Sequence, residues 1–251
     1  MPVATLIGPP WPAKFGAAKG ARTRESILRV AVNLASLEGL QGLTIGRLAE
    51  ELKMSKSGLF AHFGSKEDLQ LATVEMAREI FREYVIRPAL AEPEGMPRLW
   101  ALCDRWVDHV ESRVFAGGCF FTAASFEFDS RSGPVRDRIA DAMRTWLSIL
   151  SEAVERAQKR GHLKTGVNPE LLAFEIYSLA IGSHWVHGLF GDRKAFSNVR
   201  AMILARLRTF ATSKCPSSIQ TTTGGVSRET SLCTFQPLTS RHNKKNKRTN
   251  R

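Results

Sequence analysis

The chain has 251 residues, 43% hydrophobic and 24% charged, which is an ordinary globular balance with room for one or two domains. Its formal charge of +12 is uneven: residues 212–251 carry eight Lys/Arg against one Asp/Glu, and residues 71–211 carry nineteen against seventeen, so the basic balance says little about the folded part. Cys103, Cys119, Cys215 and Cys233 form no CxxC or disulfide-rich pattern, no uncharged apolar run reaches about 18 residues, and the start lacks a signal-peptide pattern, so a cytoplasmic protein is expected.

Residues 1–20, with Pro9, Pro10, Pro12 and several glycines, read as a flexible arm. After Thr23, Ile27, Val30, Ala31, Leu34 and Leu37 recur at helical spacing, which predicts a helix capped by Thr23 and stopped at Gly39. Thr44 is expected to cap a short second helix carrying Ile45, Leu48, Ala49 and Leu52. Ser55 is expected to cap a third with Leu59, Phe60 and Phe63. Ser65, with Asp68 three residues on, predicts a capping box that opens a fourth helix running to about Arg87 and stopped by Pro88.

Further helices are predicted over 98–115 and 119–128, with Gly117-Gly118 breaking the first. Gly133-Pro134 opens the longest, which ends at a basic turn followed by Gly161. Asn168-Pro169 starts a helix to about Gly188, and a last one spans about 193–211. Neither strand alternation nor a hairpin signal is found, so the fold is expected to be all-α with about nine helices. Residues 212–251, rich in Ser, Thr, Asn and Lys, are expected to be disordered.

The informative stretch is Leu43–Leu69, LTIGRLAEELKMSKSGLFAHFGSKEDL. Two short helices must cross closely, and Ala49 supplies the small residue at the contact. Leu48, Leu52, Met54, Leu59 and Phe63 can close a miniature core with the first helix. The polar residues Ser55, Lys56, Ser57 and Gly58 then project from the start of the second helix of the pair, as in a helix-turn-helix whose reading helix enters a major groove.

This stretch resembles the DNA-binding domain of the TetR/AcrR family of bacterial repressors. The matching pattern is Thr44, Leu48-Ala49, Leu52, Ser55-Lys56, Leu59-Phe60, His62-Phe63, Lys66 and Leu69, within a resemblance spanning Arg22 to about Thr73. The resemblance implies that Thr44 meets a phosphate, that Ser55, Lys56, Ser57 and Gly58 face bases or phosphates, that His62 and Lys66 clamp the backbone, and that Arg22 and Arg24 reach it from the arm. Phe60 replaces the usual tyrosine, and Gly58 costs about 1 kcal/mol inside a helix.

The resemblance also implies an arm (1–20), a DNA-binding domain (21–70), a helical effector and dimerisation domain (71–211) and a basic tail (212–251). Trp100, Trp106, Phe120, Phe121, Phe126 and Trp146 are candidates to line an apolar effector pocket, against the simpler reading as core. Leu172, Ile176, Leu179, Gly182, Val199, Ile203 and Leu207 are candidates for a homodimer interface through the last two helices, because one reading helix covers only a few base pairs.

Two other readings are weighed. An enzyme is disfavoured because no nucleotide-binding glycine motif or HExxH is present and His184 and His187 lack a third metal ligand; no cofactor or metal is expected. Nonspecific nucleic-acid binding through Lys244, Lys245, Lys247, Arg248 and Arg251 is the other; a terminal charge run is usually solvated. Double-stranded operator DNA and a small hydrophobic effector are therefore the expected partners, with no membrane.

Overall fold

The computed structural model describes residues 19–217. The expected arm up to 18 and the tail from 218 onward lie outside the described residues. The described residues are helical, the single β-bridge joining Leu163 and Ala211.

Helix α1 (Lys19–Glu38) starts upstream of Thr23, which lies inside it rather than capping it. Ala21, Arg22, Arg24 and Glu25 are strong helix formers, so propensity carries the helix beyond its apolar periodicity. Its end is as expected: Gly39 turns to φ +86° and donates its N–H to Ala35 O at 3.0 Å. The short α2 (Ile45–Leu52) and α3 (Lys56–Phe63) follow, burying Leu48, Ala49, Leu59 and Phe63 in the same core as Ile27 and Leu34 of α1.

Helix α4 (Lys66–Phe81) is capped by Ser65, whose Oγ accepts the Asp68 N–H at 3.0 Å. The Asp68 carboxylate takes the Ser65 hydroxyl at 2.6 Å, which closes the expected box through side chains. Pro88 does not stop this helix. The chain widens into one turn over Arg82–Ile86, where Arg87 N–H reaches Arg82 O, and continues as α5 (Arg87–Leu90). A straight helix would drive the proline ring into the carbonyl four residues back, and one i→i+5 turn relieves that clash.

Helix α6 (Met96–Glu111) ends before 115. Arg113 adopts φ +51°, Val114 N–H reaches back to His109 O, and Val114 and Phe115 turn inward to be buried. Then come α7 (Phe120–Phe128), α8 (Pro134–Lys159), α9 (Pro169–Phe190) and α10 (Lys194–Thr209), with Asn168 Oδ1 capping α9 at Leu171 N–H, 3.1 Å. With α4 and α5 counted as one bent element, the described residues hold the nine helices expected. The chain does not loosen at 212: Thr212 N–H binds His162 O at 3.1 Å, and Cys215 is only 5% exposed. Packing extends the folded part to at least that residue, where polar composition alone suggests a tail.

Helix α9 lies against α8 and α10, while α6 packs on α8 and α10. Two helices bridge from this bundle to α1: α4 touches α1 and α8, and so does α7.

Candidate nucleic-acid interface

The two short helices are held by their caps. Thr44 is extended (φ −129°, ψ 159°), and its Oγ1 accepts the Arg47 N–H at 3.0 Å. Ser55 Oγ accepts the Gly58 N–H at 3.1 Å and a hydroxyl from Ser57 at 3.3 Å. A Cβ on Gly58 would stand 3.0 Å from Ser55 Oγ. Lys53 takes the left-handed conformation (φ 53°) to turn α2 into α3.

Lys56 and Ser57 are exposed at the start of α3. A Cβ on Gly46 would lie 3.8 Å from both Lys56 Nζ and Thr44 Oγ1, so the ammonium and the hydroxyl flank the first turn of α2. A helix N-terminus with free N–H groups, a hydroxyl and an ammonium form a cradle suited to an anionic phosphate. Arg22, Arg24 and Lys66 are also exposed, with the Arg24 guanidinium 5.0 Å over the Phe63 ring. His62 is half-buried, its ring 6.2 Å from that of Phe63.

Two further features belong to this region. Phe60 is 57% exposed, because Leu59 and Phe63, four apart, take the inner face and leave it outward. Arg47 binds Glu38 of α1 at 2.6 Å and Glu51 at 3.2 Å, fastening α2 to α1; the Glu38 hydrogen bond raises the Arg47 pKa.

A cavity of about 520 Å³ opens between α4, α6, α7 and α8. Trp106, Phe121 and Trp146 line it, joined by Phe81, Met143 and Ile149. Phe81 and Trp146 meet edge to face at 4.9 Å, and Trp106 and Trp146 at 5.3 Å. Three expected residues are elsewhere. Trp100 is buried away from the cavity, Phe120 packs on Phe115, and Phe126 points outward at 64% exposed, five residues round α7 from Phe121. The charged rim comes from α4 and the wide turn after it: Arg78 pairs with Glu75 at 3.3 Å and Arg82 with Glu79 at 2.8 Å, and Arg138 of α8 holds Glu75 at 2.5 Å from outside the rim.

Beside this cavity, His109 is buried among Phe81, Tyr84 and Phe115, and neither ring nitrogen has a hydrogen-bond partner among the described residues. Burial lowers its pKa to about 3, so the ring is neutral. His184 Nε2 accepts the Cys119 N–H at 3.1 Å, and His187 lies 4.5 Å from the Phe196 ring. Burial also pushes the Cys103 thiol up to about 12.

The expected interface residues on the last two helices require correction. Leu172, Ile176, Val199, Ile203 and Leu207 are buried within the monomer, and Leu179 is half-buried against the same core. Helix α9 is apolar on both sides, so apolar spacing alone cannot say which stripe faces inward. The outward stripe is Leu171, Phe174 (60% exposed), Ser178, Gly182, Trp185 (57% exposed) and Leu189. Of the expected set only Gly182 belongs to it, with open space where its Cβ would be. Ala201, Met202 and Ala205 form the exposed face of α10.

Comparison with known proteins bears on both halves. Residues 27–73 match the family model described as bacterial regulatory proteins, tetR family, and residues 95–203 match that for a tetracyclin repressor-like C-terminal domain. The transcriptional regulator HbdR of Aromatoleum sp. (strain CIB) is 24% identical over 196 residues, 76% of this chain and 82% of HbdR. The transcriptional repressor NicS of Pseudomonas putida is 34% identical over 97 residues, 36% of this chain and 44% of NicS. Among solved structures, a TetR regulator from Chloroflexus aurantiacus superposes with a TM-score of 0.72 at 22% identity, covering 77% of this chain and 98% of that one. AibR in complex with isovaleryl coenzyme A and operator DNA superposes with a TM-score of 0.59 at 21% identity, covering 75% of this chain and 97% of AibR.

Proposed function

The chain belongs to the TetR family of bacterial regulatory proteins, and from that premise we propose that it is a homodimeric repressor whose α3 reads an operator and whose cavity binds the molecule that releases it. The observation that carries the reading is the pair of capped short helices α2 and α3, with the Lys56 ammonium and the Thr44 hydroxyl both beside Gly46 in the first turn of α2. Lys56 and Ser57 project from the start of α3, where such a helix meets base edges. Arg22, Arg24, His62 and Lys66 add contacts to the DNA backbone, which fix register rather than sequence.

A second copy supplies the second reading helix. The outward stripe of α9 is an apolar face with Gly182 at its middle, and pairing it with its equivalent across a twofold axis removes it from water. The inducing ligand is small and predominantly apolar, because aromatic and aliphatic side chains make most of the cavity wall while the charged rim is internally paired. AibR was solved with an acyl-coenzyme A and operator DNA together, which supports the same division of labour for this chain. Since α4 carries the rim and begins one residue after the α3–α4 turn, a ligand that shifts α4 changes the spacing of the reading helices. By linkage, such a ligand binds the DNA-bound dimer more weakly than the free one.

The test is a gel shift on DNA flanking the protein's own gene, with excess competitor DNA and several salt concentrations. A discrete complex that resists competitor and is weakened by Lys56→Ala supports the reading; binding that competitor removes at every salt contradicts it.

A further inference from the structure

The short α7 and the loop before it are fastened to α1 at both ends. Upstream, the Ala116 N–H donates to Asn33 Oδ1 at 3.1 Å and the Gly117 N–H to Ser36 Oγ at 3.0 Å. Both α1 side chains are buried and are themselves oriented, Asn33 Nδ2 donating to Arg29 O and Ser36 Oγ to Asn33 O. Gly117 presses so closely on α1 that a Cβ there would stand 1.9 Å from Ser36 O, which explains the glycine. Downstream, the Glu127 carboxylate accepts the N–H groups of Leu40 at 2.7 Å and Gln41 at 2.9 Å, in the turn joining α1 to α2. Charge-assisted bonds to two backbone N–H groups are among the stronger ones a side chain makes. From α4, Gln70 Nε2 donates to Leu40 O at 2.7 Å. The turn is therefore gripped on its amide side by α7 and on its carbonyl side by α4.

The same α7 is a wall of the cavity, through Phe121 and Thr122 at its start, and Cys119 just before it. A helix of nine residues is a rigid strut about 13 Å long, so its wall end and its Glu127 end move together. We infer that α7 is a second link from the cavity to the DNA-reading helices, separate from α4, and that Glu127 is the positioning residue that passes a displacement of the wall to the α1–α2 turn. The inference rests on the cavity being the regulatory site. An occupant pressing on Phe121 tilts α7, and the two N–H bonds either drag the Leu40–Gln41 turn or break. In both cases the orientation of α2 and α3 relative to the bundle changes.

The experiment uses the full chain and a bulky side chain as the occupant. Ala142→Trp fills the cavity from the α8 side, and Met143→Trp does so with a smaller change of volume should the first variant fold poorly. Each is combined with Glu127→Ala. Amide hydrogen exchange at Leu40 and Gln41 is read in all six proteins, together with affinity for a duplex selected by the wild-type chain from a random pool. With Glu127 present, filling the cavity is expected to weaken duplex binding tenfold or more and to change exchange at both amides. With Glu127→Ala, filling is expected to weaken binding only about threefold, the part that α4 still carries. A purely structural Glu127 would lower affinity by one factor and leave the effect of filling unchanged, and that outcome overturns the proposal. So does unchanged exchange at Leu40 and Gln41 on filling. A wild-type chain that selects no duplex defeats the operator reading instead, and the exchange measurement then decides the link alone.

Discussion

Helices α3 and α9 both turn a face outward that is proposed to meet a partner, yet they are built on opposite principles. In α3 the inward residues Leu59 and Phe63 are apolar, while Lys56 and Ser57 at its exposed start are polar, with Phe60 the large apolar side chain left outside. Such a face is content in water and becomes a contact surface only when a polyanion approaches. In α9 the inward residues Leu172 and Ile176 and the outward residues Phe174 and Trp185 are equally apolar. An apolar outer stripe is costly in water, and covering it is favourable without any charge. The first surface is thus suited to a reversible, salt-sensitive contact and the second to a standing one.

The contrast is most sharply tested by charging the outer stripe. Phe174→Asp with Trp185→Asp is expected to give monomers in sedimentation velocity and to weaken duplex binding by a hundredfold or more, since buried aromatic anchors at interfaces carry about 2–4 kcal/mol each. Monomers that bind as tightly as wild type would break the comparison. The inner stripe behaves differently. Ile176→Ala, at a fully buried position, is expected to cost about 2–5 kcal/mol in chemical denaturation while leaving the dimer assembled.

A smaller effect concerns His109. Its folded pKa of about 3 lies below the roughly 6.5 of an unfolded histidine, so the unfolded chain takes up the proton first as pH falls. The His109 contribution is level above about pH 6.5 and is lost between there and about pH 3, at up to about 1.4 kcal/mol per pH unit. Denaturant midpoints at pH 7, 6 and 5 for wild type and His109→Phe should show a shallower decline in the variant; identical declines would mean that another group carries the dependence. The smallest effect is in α3. Lys56→Ala is expected to weaken binding by about 1–3 kcal/mol, and if Lys56 meets a phosphate the slope of log affinity against log salt should fall by about one.

The same contrast explains what was legible in the sequence. The two short helices are locally specified by their caps: Thr44, Ser55 and Ser65 each cap the helix they precede, and in α2 the apolar spacing states which side is inside. That pattern could be followed without knowing the rest of the fold. In α3 apolar spacing alone says less, because Phe60 stands outward beside the inward Leu59 and Phe63. In α9 the rule has no purchase, since both faces are apolar, and the face chosen as interface was the core. The cavity was half legible for a related reason: an aromatic residue on α7 points inward or outward by its angle round the helix, which separates Phe121 from Phe126 and depends on how α7 is docked. Pro88 misled through a backbone option, the single wide turn, that has no sequence signature as plain as a cap.

The account as a whole turns on two chains acting on one duplex, each reading through α3 and joined through α9. The direct measurement is sedimentation velocity of a fluorescent duplex, selected by the wild-type chain, titrated with protein in the presence of excess unlabelled competitor DNA. The account predicts a discrete complex of two chains per duplex that persists in competitor. A saturating complex of one chain per duplex, or label stripped off by competitor, would contradict it.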